Sequence, residues 1–283
     1  MNRRGWSSPL AGRWYSDDAR VLRQTLTHLE GCVRKVPLAG VRGVIVPHAG
    51  YQFSGRVAMA AYARLDVADY KRVVVVGPSH YAAMENCLSW PGVAEITTPL
   101  GSCRVDTEWL DIFAESGFLR HEPQAHRQEH SDQIQLPLLQ HLFARREWSL
   151  VPLVCGQFDD ATATACGERL RLLLDEESLL VISTDFTHYG VNFGYVPFEF
   201  DVAQRLEELD HEVFAQVVAG NSGSFWRVIR ETGATVCGVY PLALLLAVMG
   251  GRGVVEEVAY DLSGNITGDW ENSVSYLSAT LKW

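Results

Sequence analysis

The alternation of short apolar runs with longer helical patterns restricts the fold of this chain more than any other sequence feature. Five β-branched runs bounded by Gly, Pro or polar residues have the length of strands, at residues 41–46, 73–76, 150–154, 179–183 and 254–260. Helical patterns lie between or after them, at residues 54–65, 106–115, 160–174, 200–218, 224–231 and 241–249. Continuous apolar strands are covered on both faces. The chain is therefore predicted to be an α/β protein whose central, mostly buried β-sheet has helices on both faces.

Residues that favour helix starts support these positions. The predicted N-caps are Ser54, Asp106, Asp159 or Asp160, and Ser222, and Pro241 suits a first helical turn. Hydrophobic residues make up 47% of the chain, which is enough for a continuous core. Because no repeat or Gly/Ser/Pro-rich linker interrupts the pattern, residues 1–283 are predicted to form a single domain.

Charge and hydropathy exclude several classes of partner. The net charge is −10, so binding to nucleic acid is not expected. The start of the chain, Met1 to Trp14, lacks the apolar core of a signal peptide, and no apolar stretch reaches the length of a membrane span. This predicts a cytoplasmic protein with no membrane partner. The six cysteines show no C-x-x-C pairing, which argues against a disulfide scaffold or a structural zinc site, and most are expected to be buried.

Three predicted strands are followed by short segments that carry a histidine. His48 lies in a Pro-His-Ala-Gly loop, His80 in a Gly-Pro-Ser-His loop, and His188 in a Ser-Thr-Asp-Phe-Thr-His segment. Ligand sites of open α/β sheets form beyond the carboxyl ends of strands, so these histidines can converge. A single histidine at such a place is more often a turn residue, but the repeated placement favours a site.

Cys237 directly precedes a strongly apolar helix. A helix N-terminus favours the thiolate, which is the form that binds metals, although a buried structural cysteine is an equally good interpretation of this residue alone. Two imidazoles and one thiolate would suit copper, zinc or iron. Asp185 and His188 would then be supporting groups or an acid/base pair, and His130 is a fourth candidate histidine.

The remaining histidines receive no role. His141 is predicted to be a packed, hydrogen-bonded residue of a helix. Polar neighbours suggest surface positions for His28, His121, His126 and His211. Glu207, Glu208 and Asp210 are expected to form a solvated helix face.

Seven sequence blocks, in order, resemble the Memo family over nearly the whole chain. They are residues 11–15 (AGRWY), 47–55 (PHAGYQFSG), 77–80 (GPSH), 129–137 (EHSDQIQLP), 183–190 (STDFTHYG), 237–241 (CGVYP) and 263–269 (SGNITGD). This family is also named as protein B of the AmmeMemoRadiSam system, and it resembles class III extradiol dioxygenases. The resemblance implies an α/β sheet flanked by helices.

The resemblance also implies roles for particular residues. His48, His80 and Cys237 match metal ligands, with the cysteine where the dioxygenases have a glutamate. His188 matches an acid/base histidine, and His130 and Asp185 match further residues of the pocket. One position departs from the pattern, because Gln133 stands where the family usually has Glu.

Three functions follow from this resemblance. The first is a mononuclear iron or copper enzyme, dioxygenase-like, that oxidises a small molecule. The second is a non-catalytic adaptor that binds a peptide in the same pocket, and the third is metal handling. A radical-SAM protein and an AMMECR1-like protein are possible pathway partners.

Overall fold

The computed structural model describes residues 5–283. The helices, in chain order, are α1 (Ala19–Gly31), α2 (Tyr51–Tyr62), α3 (Thr107–Ala114), α4 (Pro123–His126), α5 (Gln135–Leu142), α6 (Asp160–Leu173), α7 (Val202–Val218), α8 (Ser222–Thr232), α9 (Val239–Met249) and α10 (Ser263–Thr267). The strands are β1 (Trp6–Ser7), β2 (Gly43–Val46), β3 (Arg72–Pro78), β4 (Leu88–Ser89), β5 (Glu95–Thr98), β6 (Gly101–Arg104), β7 (Leu119–Arg120), β8 (Ser149–Cys155), β9 (Ser178–Ser183), β10 (His188–Gly190), β11 (Val254–Leu262) and β12 (Asn272–Lys282).

A large mixed sheet forms the centre of the fold. Its order is β10-β12-β2-β9-β3-β8-β4-β7, with β11 paired to β12. The four strands β2, β9, β3 and β8 are neighbours and run parallel, so their carboxyl ends lie at one edge. β12 is antiparallel to β2 and closes that side of the parallel group. A separate small sheet contains β1, β5 and β6.

Helices cover both faces of the parallel strands. Residues 73–76 of β3 are all fully buried, and because successive side chains point to opposite faces, neither face can be open to water. Helix α9 packs against β3 and β9, and α2 packs against β2 and β12. This confirms the predicted α/β fold. The division into domains stays a prediction. No helix within residues 5–283 has both the length and the apolarity to cross a membrane.

The five predicted strands and six predicted helices are present, with shifted ends. Helix α2 begins at Tyr51, after Gly50, and not at Ser54. Ser54 lies inside the first turn, where its hydroxyl donates to the carbonyl of Ala49 (2.9 Å). Asn221 rather than Ser222 caps α8, whereas Asp106 and Asp159 cap α3 and α6 as predicted.

Candidate metal centre

Three neighbouring strands bring the candidate residues together. His48 follows β2, His80 follows β3, and Asp185 follows β9, which lies between them in the sheet. Cys237 comes from the segment before α9, which packs on β3 and β9. One ligand atom from each of His48, His80 and Cys237 can be chosen so that all lie within 4.8 Å of one another. The convergence that the sequence suggested is therefore present for these three residues.

Hydrogen bonds determine which nitrogen of His48 faces the pocket. The Ser183 hydroxyl donates its proton to the carbonyl of Ser131 (2.5 Å), so it accepts from His48 Nδ1 (3.2 Å). The Gln135 side chain also donates to this hydroxyl (2.9 Å). Nδ1 of His48 is consequently the protonated nitrogen, and Nε2 presents its lone pair 3.2 Å from the sulfur of Cys237. Burial and the neighbouring His80 lower the pKa of His48 well below its usual value, which keeps the ring neutral.

Glu129 fixes His80 in the same way. This fully buried carboxylate accepts from His80 Nδ1 (2.8 Å) and from the backbone N–H of His80 (2.7 Å). It also accepts from the backbone N–H groups of His130 (2.9 Å) and Ser131 (3.0 Å). Burial by itself would raise the pKa of Glu129, but these hydrogen bonds outweigh it and lower the pKa to about 2. The sequence interpretation gave Glu129 no role, although it stands next to His130.

Cys237 lies close to His48 and Asp185. Its sulfur accepts from the backbone N–H of Asp185 (3.2 Å). The sequence predicted a lowered thiol pKa from the following helix, and the fold shows that this is wrong. Burial of the sulfur and the Asp185 carboxylate raise the pKa, because both disfavour a negative charge there. A bound cation would reverse this balance, since a coordinating thiol loses its proton.

His130 completes a stack of three rings beside the pocket. Its ring lies 4.2 Å from the Trp14 ring, nearly parallel, and 4.6 Å from the His80 ring on the other side. Burial, together with His48 and His80, lowers the pKa of His130 to about 3. His130 is thus a neutral, buried neighbour of the ligand atoms and not an exposed helix residue. Its Nδ1 has no hydrogen-bond partner within residues 5–283.

Asp185 and His188 lie on either side of a short buried turn. Asp185 accepts from the backbone N–H of His48 (2.7 Å), and burial raises its pKa. His188 is the first residue of β10, where its Nδ1 donates to the carbonyls of Phe186 (3.1 Å) and Thr235 (3.2 Å). The Nε2 lone pair of His188 is therefore free to accept a proton. His188 does not belong to the close group of ligand atoms, and its ring packs edge-on against Phe193.

Two buried residues correct the surface assignments. His126 is fully buried, and its Nε2 forms a hydrogen bond with the Ser89 hydroxyl (3.0 Å). Its Nδ1 lies 3.6 Å from the buried carboxylate of Asp132. Asp210, from the acidic helix α7, is also fully buried and accepts from the backbone N–H of Thr187 (3.1 Å). Neither residue lies on the solvated surface that its polar neighbours suggested.

The structure gives Gln133 a physical role. Its amide nitrogen donates to the backbone carbonyls of His126 (3.1 Å) and Glu129 (3.3 Å). A glutamate could not donate to both carbonyls when ionised. The amide at this position therefore holds the turn that carries Glu129 towards His80.

The donor chemistry fits a single metal ion. His48 and His80 each present a lone pair from Nε2 while the other ring nitrogen is held by a hydroxyl or a carboxylate, which is the usual support for a metal-binding histidine. A sulfur completes the group within 4.8 Å. Two imidazoles and a thiolate suit iron, copper or zinc, and three protein ligands leave room for a further ligand.

Comparisons with known proteins show what this chain is similar to. A family model described as "Memo-like protein" matches residues 7–280. A MEMO1 family protein of Schizosaccharomyces pombe is 30% identical, covering 95% of this chain and 96% of that protein. A MEMO1 family protein of Methanosarcina mazei is 34% identical over 83% of this chain and 84% of its own length. The protein MEMO1 of Danio rerio is 30% identical, covering 83% of this chain and 81% of that protein.

A structural comparison agrees at the level of the fold. The crystal structure of an uncharacterized protein from Escherichia coli K12 superimposes with a TM-score of 0.52 at 13% identity, covering 85% of this chain and 99% of that one. At this identity the likeness concerns the fold and not the chemistry.

Proposed function

The chain belongs to the Memo family, and on that premise we propose that it is a mononuclear metalloprotein whose iron or copper ion is bound by His48, His80 and Cys237. The observation that carries this proposal is the convergence of the three ligand atoms within 4.8 Å. The hydrogen bonds of Ser183 and Glu129 turn the basic nitrogens of both imidazoles towards the same point. Zinc has a compatible donor set, and metal analysis decides among the three.

We further propose that the protein is an oxidoreductase acting on a small substrate. A bound iron or copper ion would supply one-electron and dioxygen chemistry. His188 would accept or donate a proton at Nε2, since its Nδ1 is committed to two backbone carbonyls. The Asp185 carboxylate holds the His48 loop by accepting from the backbone N–H of His48. The buried rings of His48 and His130 keep water away from one side of the pocket.

One experiment tests the metal site. The protein is purified without added metal, and its metal content is measured by elemental mass spectrometry. We expect about one equivalent of iron or copper in the wild type. It should be lost in the variant carrying His48→Ala and Cys237→Ser.

The matched control carries His28→Ala and Cys32→Ser. These residues form an exposed histidine–cysteine pair 3.6 Å apart, with His28 in the last turn of α1 and Cys32 directly after it. Retention of metal by the site variant, or equal loss in both variants, would contradict the proposal. Catechol turnover by iron-loaded wild type that is lost in the His188→Gln variant would support ring cleavage. If the iron-loaded wild type does not turn over catechols, the proposal is restricted to other oxidations.

A second candidate function is peptide binding by the same pocket. Four large apolar side chains between residues 191 and 200 are exposed, and Phe193 among them contacts His188. An exposed apolar group next to a pocket suits a peptide partner. Binding that survives loss of His48 and Cys237 would favour this adaptor function over the metal-dependent one.

The six cysteines are free thiols, which fits the reducing cytoplasm. We therefore retain the cytoplasm as the proposed location.

A further inference from the structure

A second cavity lies away from the candidate metal centre. Its volume is about 780 Å³, within the range of small-molecule sites. It is lined by residues of α1, the β5–β6 hairpin, the end of α5 and the segment before β8. Gln135, at the start of α5, reaches the metal-site hydroxyl of Ser183, whereas Gln140 and His141, at its end, line this cavity. The metal site and this cavity thus lie at opposite ends of α5.

Three arginines give the cavity its charge. Arg23, Arg104 and Arg146 all line it, in a protein whose net charge is −10. Within residues 5–283, none of the three forms an ion pair or a side-chain hydrogen bond. Glu147 also lines the cavity but forms no ion pair with them in this part of the chain.

Two partly buried arginines of the fold, Arg72 and Arg42, have polar partners. The guanidinium of Arg72 binds the carboxylates of Asp106 (2.8 Å) and Asp175 (3.0 Å), and that of Arg42 donates to two backbone carbonyls. Grouping three unpaired guanidiniums costs electrostatic free energy in the unliganded protein, and a bound anion would relieve it.

The polar groups around the arginines are already committed. The Gln140 amide accepts from the Thr98 hydroxyl (2.5 Å) and donates to the carbonyl of Gly101 (2.8 Å). His141 is held by the Glu30 carboxylate (2.9 Å). These bonds make a rigid frame in which the guanidiniums are the free donors. The partly exposed ring of Trp148, packed 5.4 Å from buried Phe143, supplies an apolar wall.

We propose that this cavity binds a small organic phosphate carrying two or more phosphoryl groups. Guanidinium groups match phosphate oxygens in pairs, so three of them suit a ligand with more than one phosphoryl group. Trp148 offers a surface for the organic part of the ligand. This site is separate from the metal-dependent function proposed above.

The test is calorimetric titration of the full chain with ATP and with inorganic tripolyphosphate, using uncharged adenosine as a comparison. The site variant carries Arg104→Gln and Arg146→Gln. The matched control carries Arg227→Gln and Arg230→Gln, two exposed arginines of α8 that change the net charge equally. Because all four side chains are exposed, the thermal midpoints of both variants should stay close to that of the wild type.

We expect one phosphate ligand per chain, with affinity at least tenfold weaker in the site variant and within twofold of wild type in the control. Tighter binding of ATP than of tripolyphosphate assigns a nucleotide, and equal binding assigns the phosphoryl groups alone. Either result supports the site. The proposal is overturned if neither probe binds, if both variants lose affinity equally, or if His48→Ala abolishes binding, since the anion would then occupy the metal pocket.

Discussion

Replacing Glu129 by Gln tests how the candidate metal centre is held in place. The substitution keeps the shape of the side chain but removes its charge and turns one acceptor oxygen into a donor. In the structure, four N–H groups point at this carboxylate: two of His80, and the backbone groups of His130 and Ser131. The amide can accept from one side only.

The expected cost follows from these contacts. A buried N–H that loses its acceptor costs about 1–3 kcal/mol, and a hydrogen bond to a neutral oxygen is weaker than one to a carboxylate by about 1 kcal/mol. Relief from burying a charge offsets part of this loss. We therefore expect the free energy of unfolding to fall by about 2–4 kcal/mol. Because His80 loses its support, metal affinity should fall by about 10–100-fold.

Two measurements check this prediction. Urea unfolding of metal-free protein gives the change in stability, and competition with a chelator gives the change in metal affinity. Glu122→Gln is the matched control, because Glu122 is exposed and its side chain caps no helix in the structure. Equal stability of Glu129→Gln and the wild type would refute the argument that this carboxylate anchors the site. Lower stability with unchanged metal affinity would confine its role to folding.

Three further predictions concern the scaffold and the pocket. Burial by itself would raise the pKa of Asp106, but the hydrogen bonds from Arg72, Trp109 and Ser149 outweigh it and lower the pKa. The ionised carboxylate therefore stabilises the fold above about pH 4. This stabilisation is lost as the pH falls through the pKa of Asp106 in the folded protein. The substitution Asp106→Asn keeps a side chain that can cap the helix but removes the charge. In urea unfolding, this variant should be less stable than the wild type at pH 7, and the difference should be smaller at pH 3. A difference in stability that does not change with pH would contradict this. In Gly77→Ala, the new Cβ would overlap the Ser131 side chain, so the free energy of unfolding should fall by about 1–3 kcal/mol. The control Gly223→Ala, at an exposed position of α8, should show no loss of stability. His188→Gln should keep its metal in elemental analysis, because His188 lies outside the group of ligand atoms; loss of metal would make His188 a ligand.

The sequence predicted the parallel strands well because they are short, apolar and β-branched. It missed β12, the longest strand, because Ser273, Ser275, Ser278 and Thr280 interrupt the apolar pattern. These small polar side chains are buried in a strand that pairs with β10, β11 and β2, so strand pairing and not hydropathy determines the structure there.

The candidate site was predictable only in part. Strand-end histidines could be recognised, since ligand sites of α/β sheets occupy those ends. Glu129 and His126 could not be placed, because their burial depends on contacts between segments far apart in the sequence. The Cys237 pKa was predicted with the wrong sign, since the helix effect is local whereas burial is a property of the completed fold.

The position of β2 in the sheet has a consequence for biosynthesis. β2 lies between β9 and β12, so neither of its neighbours has been translated when His48 leaves the ribosome. Cys237 follows His48 by 189 residues, and β12 follows later still. Such distant pairings slow folding, because a long loop must close before any contact forms. A nascent chain therefore exposes an incomplete set of ligands for most of its synthesis, and tight metal capture should await the final strand.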